Sequence, residues 1–334
     1  MKWPALVLLL MLGALFSGGS SAAPAGNHHD ELVGKLTDGK YSRRGADTCL
    51  KCHDETFPTV DAPFPTAAVF RTAHGQGTKA SPFATSDTAV LPAGLQCEAC
   101  HGPAGDHPTQ ILEDGETRQA MINFGQRANA QPDLQNSMCL NCHNDTVRMA
   151  WRGSNHEGAD LACANCHRIH STDDPVRDHG TQNQTCTSCH RDVAADALKH
   201  SAHPLRQGQL NCTDCHAIHG NDGDALTHGD SVTETCTTCH GEKRGPFLWE
   251  HAPAAEDCSI CHVPHGSSQP ALLTRRPPQL CQGCHSSAGH RSLPQFASDV
   301  PPAGASEYLL ARGCTNCHSA VHGSNHPSGD RLRR

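Results

Sequence analysis

The sequence predicts a fold of loops and short α-helices with little or no β-structure, wrapped around covalently attached cofactors. Three observations predict it. All twenty cysteines fall in ten copies of one short motif, C-x-x-C-H. Leu, Ile, Val and Phe total 52 of 334 residues, about 16 %. At that share, side chains by themselves bury too little apolar area to offset chain entropy. Through the middle of the chain the motifs recur every 22 to 26 residues, which leaves room for a turn of helix and a loop per copy.

The motif cysteines are Cys49 and Cys52, Cys97 and Cys100, Cys139 and Cys142, Cys163 and Cys166, Cys186 and Cys189, Cys212 and Cys215, Cys236 and Cys239, Cys258 and Cys261, Cys281 and Cys284, and Cys314 and Cys317. This is the attachment signature of c-type haem: both thiols add to the vinyl groups as thioethers, and the adjacent histidine becomes the proximal iron ligand. The proximal ligands are then His53, His101, His143, His167, His190, His216, His240, His262, His285 and His318. Zinc knuckles need two C-x-x-C pairs per ion and have no use for a histidine after every second cysteine. With 26 histidines in 334 residues, chance would place one after all ten pairs with a probability of roughly 10⁻¹¹. A disulfide framework rarely uses cysteines spaced this closely. The reading is ten haem c per chain, numbered below in motif order. Each is a large, mostly apolar body that replaces side chains as core, and the apoprotein is expected to be largely unfolded. The net charge of −8 becomes more negative with haem propionates and excludes nucleic acid as a partner.

The elements follow in chain order. Residues 1–25 read as a signal peptide: Lys2, an apolar run over 5–16, then small residues, with cleavage after Ala22 or Ala25. The run is shorter than the roughly 20 residues of a membrane-spanning helix. Export places the mature chain in the periplasm. Residues 26–48 read as a flexible leader, and 54–96 and 102–138 as long loop-like inserts. Segments 192–202 and 306–312 are the better helix candidates. From the middle onward a repeat appears: a histidine, then C-x-x-C-H-x-x-H, then a second C-x-x-C-H. Its copies begin at His156, His203 and His251, so haems four to nine form three similar pairs.

The sixteen remaining histidines supply the distal ligands. Met121, Met138 and Met149 are the only methionines after the signal segment, too few for His/Met ligation throughout. The repeat selects His156, His170, His203, His219, His251 and His265. His74 precedes the second motif as His156 precedes the fourth, and His107 and His290 closely follow theirs. The tenth is His322 or His326, of which His322 better matches the short spacing. His28, His29, His179, His200 and His228 are read as non-ligands. A histidine three residues past a proximal ligand cannot reach around the same ring, so His170, His219 and His265 must serve a neighbouring haem. Two imidazoles saturate the iron and give a lower potential than His/Met. The reading is therefore an electron carrier, with a soluble periplasmic shuttle as the alternative and a multihaem reductase as a lesser one.

The stretches 41–53 (YSRRGADTCLKCH), 94–103 (GLQCEACHGP), 242–253 (EKRGPFLWEHAP) and 314–329 (CTNCHSAVHGSNHPSG) resemble the periplasmic decahaem cytochromes of the MtrA/DmsE type. The resemblance covers essentially the whole mature chain. It implies an elongated multihaem cytochrome c with two pentahaem modules, here 49–200 and 201–334. It also implies a porin–cytochrome conduit, with an outer-membrane β-barrel porin as sheath. Periplasmic or inner-membrane cytochromes would be donors, and an outer-surface multihaem cytochrome or reductase the far partner. The barrel makes physical sense, because neither charges nor open backbone can sit in lipid.

Overall fold

The structure is a computed structural model and describes residues 26–42, 44–53, 66–76, 81–83, 95–113, 120–125, 128–145, 147–286 and 313–333. The signal segment, His290 and the helix expected over 306–312 lie outside them. Ten short α-helices are present among the described residues: α1 (Gly26–Asp38), α2 (Ala46–Leu50), α3 (Glu98–His101), α4 (Pro132–Leu140), α5 (Asn155–Gly158), α6 (Gln182–Thr187), α7 (Arg191–Asp196), α8 (Val232–Thr237), α9 (Ala252–Glu256) and α10 (Gln279–Gln282). No strand occurs among the described residues; extended segments meet only in isolated bridges, as at Ser201–Ser267 and Trp249–Ser324.

From motif three onward the motifs alternate in local structure, while motif two leads into α3. The first cysteines of motifs one, three, five, seven and nine lie in α2, α4, α6, α8 and α10. Those of motifs four, six, eight and ten open single 3₁₀ turns, Cys163–Asn165, Cys212–Asp214, Cys258–Ile260 and Cys314–Asn316. The helices begin where local chemistry allows. Pro132 occupies the first turn of α4, where its missing N–H costs nothing. Ser231 caps α8 by accepting from the Glu234 amide.

Motifs three, five and seven also fix the motif that follows each. Asn136, three residues before Cys139, accepts the Cys163 amide at 2.8 Å. Asn183, three before Cys186, accepts the Cys212 amide at 3.0 Å. Thr233, three before Cys236, accepts the Cys258 amide at 3.2 Å. One polar side chain thus ties the start of a 3₁₀ turn to the preceding helix, and buried polar groups find their partners.

Three expectations are corrected. The segment 26–48 is not a loose leader: α1 buries Leu32 against Ile122, Ala130 and Leu134, with Leu36, Phe124 and Met138 around them. Glu98, itself buried, anchors the leader's end by accepting from the Ser42 amide at 2.8 Å and the Ala104 amide at 2.7 Å. The insert 102–138 is not loop throughout, because α4 starts at Pro132; its Leu134 belongs to that same small core. The helix expected over 192–202 stops at Asp196 as α7. There the chain must cross the segment after His265. Gly266 packs so closely on the Asp196 carbonyl that a Cβ would strike it, and Ser201 and Ser267 exchange hydrogen bonds of 2.9 and 2.7 Å.

That crossing recurs. Gly220, after His219, packs on the Ala150 carbonyl, and Gly323, after His322, packs on the Phe247 ring. With φ of 108° and 133° both positions also favour glycine on backbone grounds.

Candidate haem centres

Crossings of this kind bring histidine rings together in pairs. Two imidazoles ligating one metal through Nε2 have ring centres about 6 Å apart, two bonds of about 2 Å plus the offset of each ring centre. Nine of the ten proximal candidates have a partner at that separation: His53–His107 at 6.4 Å, His101–His170 at 6.0 Å, His143–His74 at 5.8 Å, His167–His219 at 6.1 Å, His190–His156 at 6.2 Å, His216–His265 at 6.0 Å, His240–His203 at 6.3 Å, His262–His322 at 6.2 Å and His285–His251 at 6.0 Å. In the third pair the two Nε2 atoms face each other at 3.5 Å. The partner of His318 is not among these pairs, and His290 lies outside the described residues.

The pairing has a rule that spacing did not disclose. His170, His219, His265 and His322, which follow motifs four, six, eight and ten, face the proximal histidines of motifs two, four, six and eight. Each reaches two motifs back. His74, His156, His203 and His251, which precede motifs two, four, six and eight, face the proximal histidines of motifs three, five, seven and nine. The two sets interlock. His156, His203 and His251 each donate Nδ1–H to the carbonyl just before His219, His265 and His322: to Ile218 at 3.0 Å, Pro264 at 2.7 Å and Val321 at 2.8 Å.

The Nδ1 bonds set the tautomer. Carbonyl oxygens only accept, so a ring donating Nδ1–H to one keeps its Nε2 lone pair for a metal. His101 donates to Ile122, His170 to Thr66, His216 to Ala225, His262 to Ala271 and His318 to Arg331, at 2.6 to 3.1 Å. Histidines read as non-ligands use their nitrogens otherwise. His228 spends Nε2–H on the Thr213 carbonyl at 2.8 Å. His179 accepts from the Asn211 amide through Nδ1, and His326 accepts the Ser328 amide at 3.1 Å the same way; each ring then carries its proton on Nε2. His200 is exposed. Burial pushes the pKa of His74, His101, His143, His170, His219, His265 and His322 below the ordinary histidine value, which favours the neutral form that a metal binds.

None of the twenty motif cysteines is paired in a disulfide, and their mutual contacts order the motifs in single file. First cysteines lie within hydrogen-bonding reach across motifs one and two (Cys49, Cys97), three and four (Cys139, Cys163), five and six (Cys186, Cys212), seven and eight (Cys236, Cys258), and nine and ten (Cys281, Cys314). Second cysteines are electrostatic neighbours across the alternate gaps: burial first, then the neighbouring thiol, raises Cys100 beside Cys142, Cys166 beside Cys189 and Cys261 beside Cys284, while burial, then the Asp214 carboxylate, then Cys239 raises Cys215.

The arrangement fits haem better than zinc. Among the described residues no cluster of three or more His, Cys, Asp or Glu side chains could hold a metal ion; the histidines face each other in twos, as a macrocycle that supplies the other four donors requires. Trp151, buried between His156 at 6.5 Å and His219 at 6.4 Å, has an indole N–H with no partner in the protein, as expected beside a large bound group. The sequence offered no signal for Trp151 beyond its position five residues before His156.

Comparison with known proteins agrees. Residues 203–245 and 251–290 match the doubled CXXCH motif family, and 97–180 match the NrfB-like cytochrome c-type proteins. The chain is 45 % identical over 303 residues to the multiheme cytochrome MtrA of Shewanella baltica (strain OS185), covering 90 % of this chain and 84 % of that protein. It is 26 % identical over 203 residues to the high-molecular-weight cytochrome c of Nitratidesulfovibrio vulgaris, covering 59 % of this chain and 33 % of the relative.

Proposed function

The chain belongs to the MtrA family of multihaem cytochromes, electron carriers built on c-type haem, and we propose that it holds ten bis-histidine haems in single file as the core of an outer-membrane conduit. The observation that carries this reading is the set of nine facing histidine pairs at 5.8 to 6.4 Å. Haem supplies a one-electron Fe(III)/Fe(II) couple. The chain's own residues do the rest. Cysteines bind and fix spacing, Nδ1 bonds orient the imidazoles, and two imidazoles per iron leave no position for substrate, which suits a conductor. For haem ten, the distal candidate left over from the nine pairs is His290. The Cys186–Cys212 contact carries the file across the junction of the modules 49–200 and 201–334.

No helix among the described residues is long and apolar enough to cross a membrane. A sheath is therefore required for passage through the outer membrane, and a β-barrel porin meets it because closure satisfies every backbone hydrogen bond. The mature protein acts in the periplasm, takes electrons from or gives them to periplasmic or inner-membrane cytochromes, and meets an outer-surface cytochrome or reductase at its far end. The test is native purification from mildly solubilised outer membranes, followed by haem absorbance. Co-elution with a large β-barrel and resistance to added protease are expected. Release by osmotic shock alone, without a barrel, would make the soluble shuttle the correct reading. At the tenth ligand choice, His322→Ala should expose one haem to carbon monoxide, seen in the reduced Soret spectrum, while His326→Ala leaves the spectrum of the parent.

A further inference from the structure

The even-numbered proximal histidines share one hydrogen-bonding device with a single exception. His101, His216, His262 and His318 donate Nδ1–H to backbone carbonyls. His167 donates instead to a carboxylate, Asp174 Oδ2, at 2.7 Å. In motifs six and eight the acceptor carbonyl belongs to the ninth residue after the histidine, Ala225 and Ala271. After His167 the seventh residue, Asp174, brings its side chain to the same nitrogen. Its other oxygen, Oδ1, accepts the Arg168 amide at 3.4 Å, and the carboxylate is largely buried at 14 % exposure.

We propose that Asp174 is a positioning and tuning residue for haem four, and that it gives this haem a lower reduction potential than the same haem would have with a neutral acceptor. The inference rests on His167 and His219 being the ligands of that iron. A carboxylate drawing on Nδ1–H makes Nε2 a stronger donor than a carbonyl does, and stronger donation favours Fe(III) over Fe(II). In the reduction one electron is added at iron, no bond forms or breaks, and the proton stays on Nδ1 between His167 and Asp174. Electron entry at the fourth position is therefore less favourable than it would be with a carbonyl acceptor on His167.

The experiment is a potentiometric titration of the holoprotein, followed by Soret absorbance, for the parent and Asp174→Asn. Asparagine keeps an acceptor oxygen at the same reach and removes the charge. One-tenth of the absorbance change should move to higher potential, with at least a tenfold rise in Fe(II)/Fe(III) for that haem at fixed ambient potential, or ~59 mV for a one-electron couple. Carbon monoxide should still fail to bind, which a merely broken ligand site would not satisfy. Superimposable curves, or a shift accompanied by carbon monoxide binding, overturn the proposal. If Asp174→Asn does not mature, the equal-length pair Asp174→Glu and Asp174→Gln decides, with the neutral member expected at the higher potential. Carbon monoxide binding by the parent would instead break the bis-histidine reading and leave Asp174 without its premise.

Discussion

Chain synthesised without haem will be unfolded. Expressed without its N-terminal segment in a cytosol that attaches no haem, it should show a random-coil far-ultraviolet spectrum, no cooperative thermal transition, and a radius of gyration approaching the ~65 Å expected of an unfolded chain of this length. The reason is visible in what is buried. The apolar cluster around Leu32, Ile122, Ala130 and Leu134 is small, and much of the remaining buried apolar set is alanine. Motif helices of four to nine residues are below the roughly 12 residues at which isolated helices become even marginal. A cooperatively melting apoprotein would mean that the polypeptide carries its own core. The holoprotein should resist unfolding because each haem would join one five-residue motif to a distal histidine from a distant point of the chain.

His219→Ala is the second large effect. It removes the partner that faces His167 at 6.1 Å and should open one haem in ten to carbon monoxide, with a high-spin ferric band replacing one-tenth of the low-spin spectrum. His228→Ala should leave both features untouched, since that ring spends Nε2 on a backbone carbonyl. The two residues are nine apart in the one segment between motifs six and seven, so equal behaviour would refute the use of tautomer and ring geometry to separate ligand from bystander. The altered haem should be the fourth, not the sixth, although His219 follows the sixth motif. Combining His219→Ala with Asp174→Asn should therefore move the potential of the haem that binds carbon monoxide, whereas His265→Ala with Asp174→Asn should affect two different haems.

Much of the site was legible because haem attachment is a covalent requirement written locally. C-x-x-C-H needs no tertiary information, and the surplus of histidines over methionines already restricted the second ligand. The selection of His156, His203 and His251 followed from the repeat. Legibility ended where the partner is remote. Nothing near His170 states that its ring faces His101, 69 residues earlier, because that pairing depends on how two loops cross. The carboxylate on His167 was equally hidden: an aspartate in a loop reads as a solvated charge until the fold brings it within 2.7 Å of a ring nitrogen. The leader was misjudged for the same reason. Leu32 and Leu36 are too few to signal a core helix, and their partners Ile122 and Leu134 lie about a hundred residues downstream.

By itself the sequence determined the cofactor, its number of attachment motifs, the scarcity of regular structure and the class of chemistry, because each depends on residues within a few positions of one another. Only the tertiary structure decided which distal histidine faces which motif, the alternation of α-helix and 3₁₀ turn, the single-file order of thiol contacts, and the one carboxylate among carbonyl acceptors. Those features arise where separate segments cross at van der Waals distance, at Gly220, Gly266 and Gly323, and such contacts are properties of packing between segments that no single segment encodes.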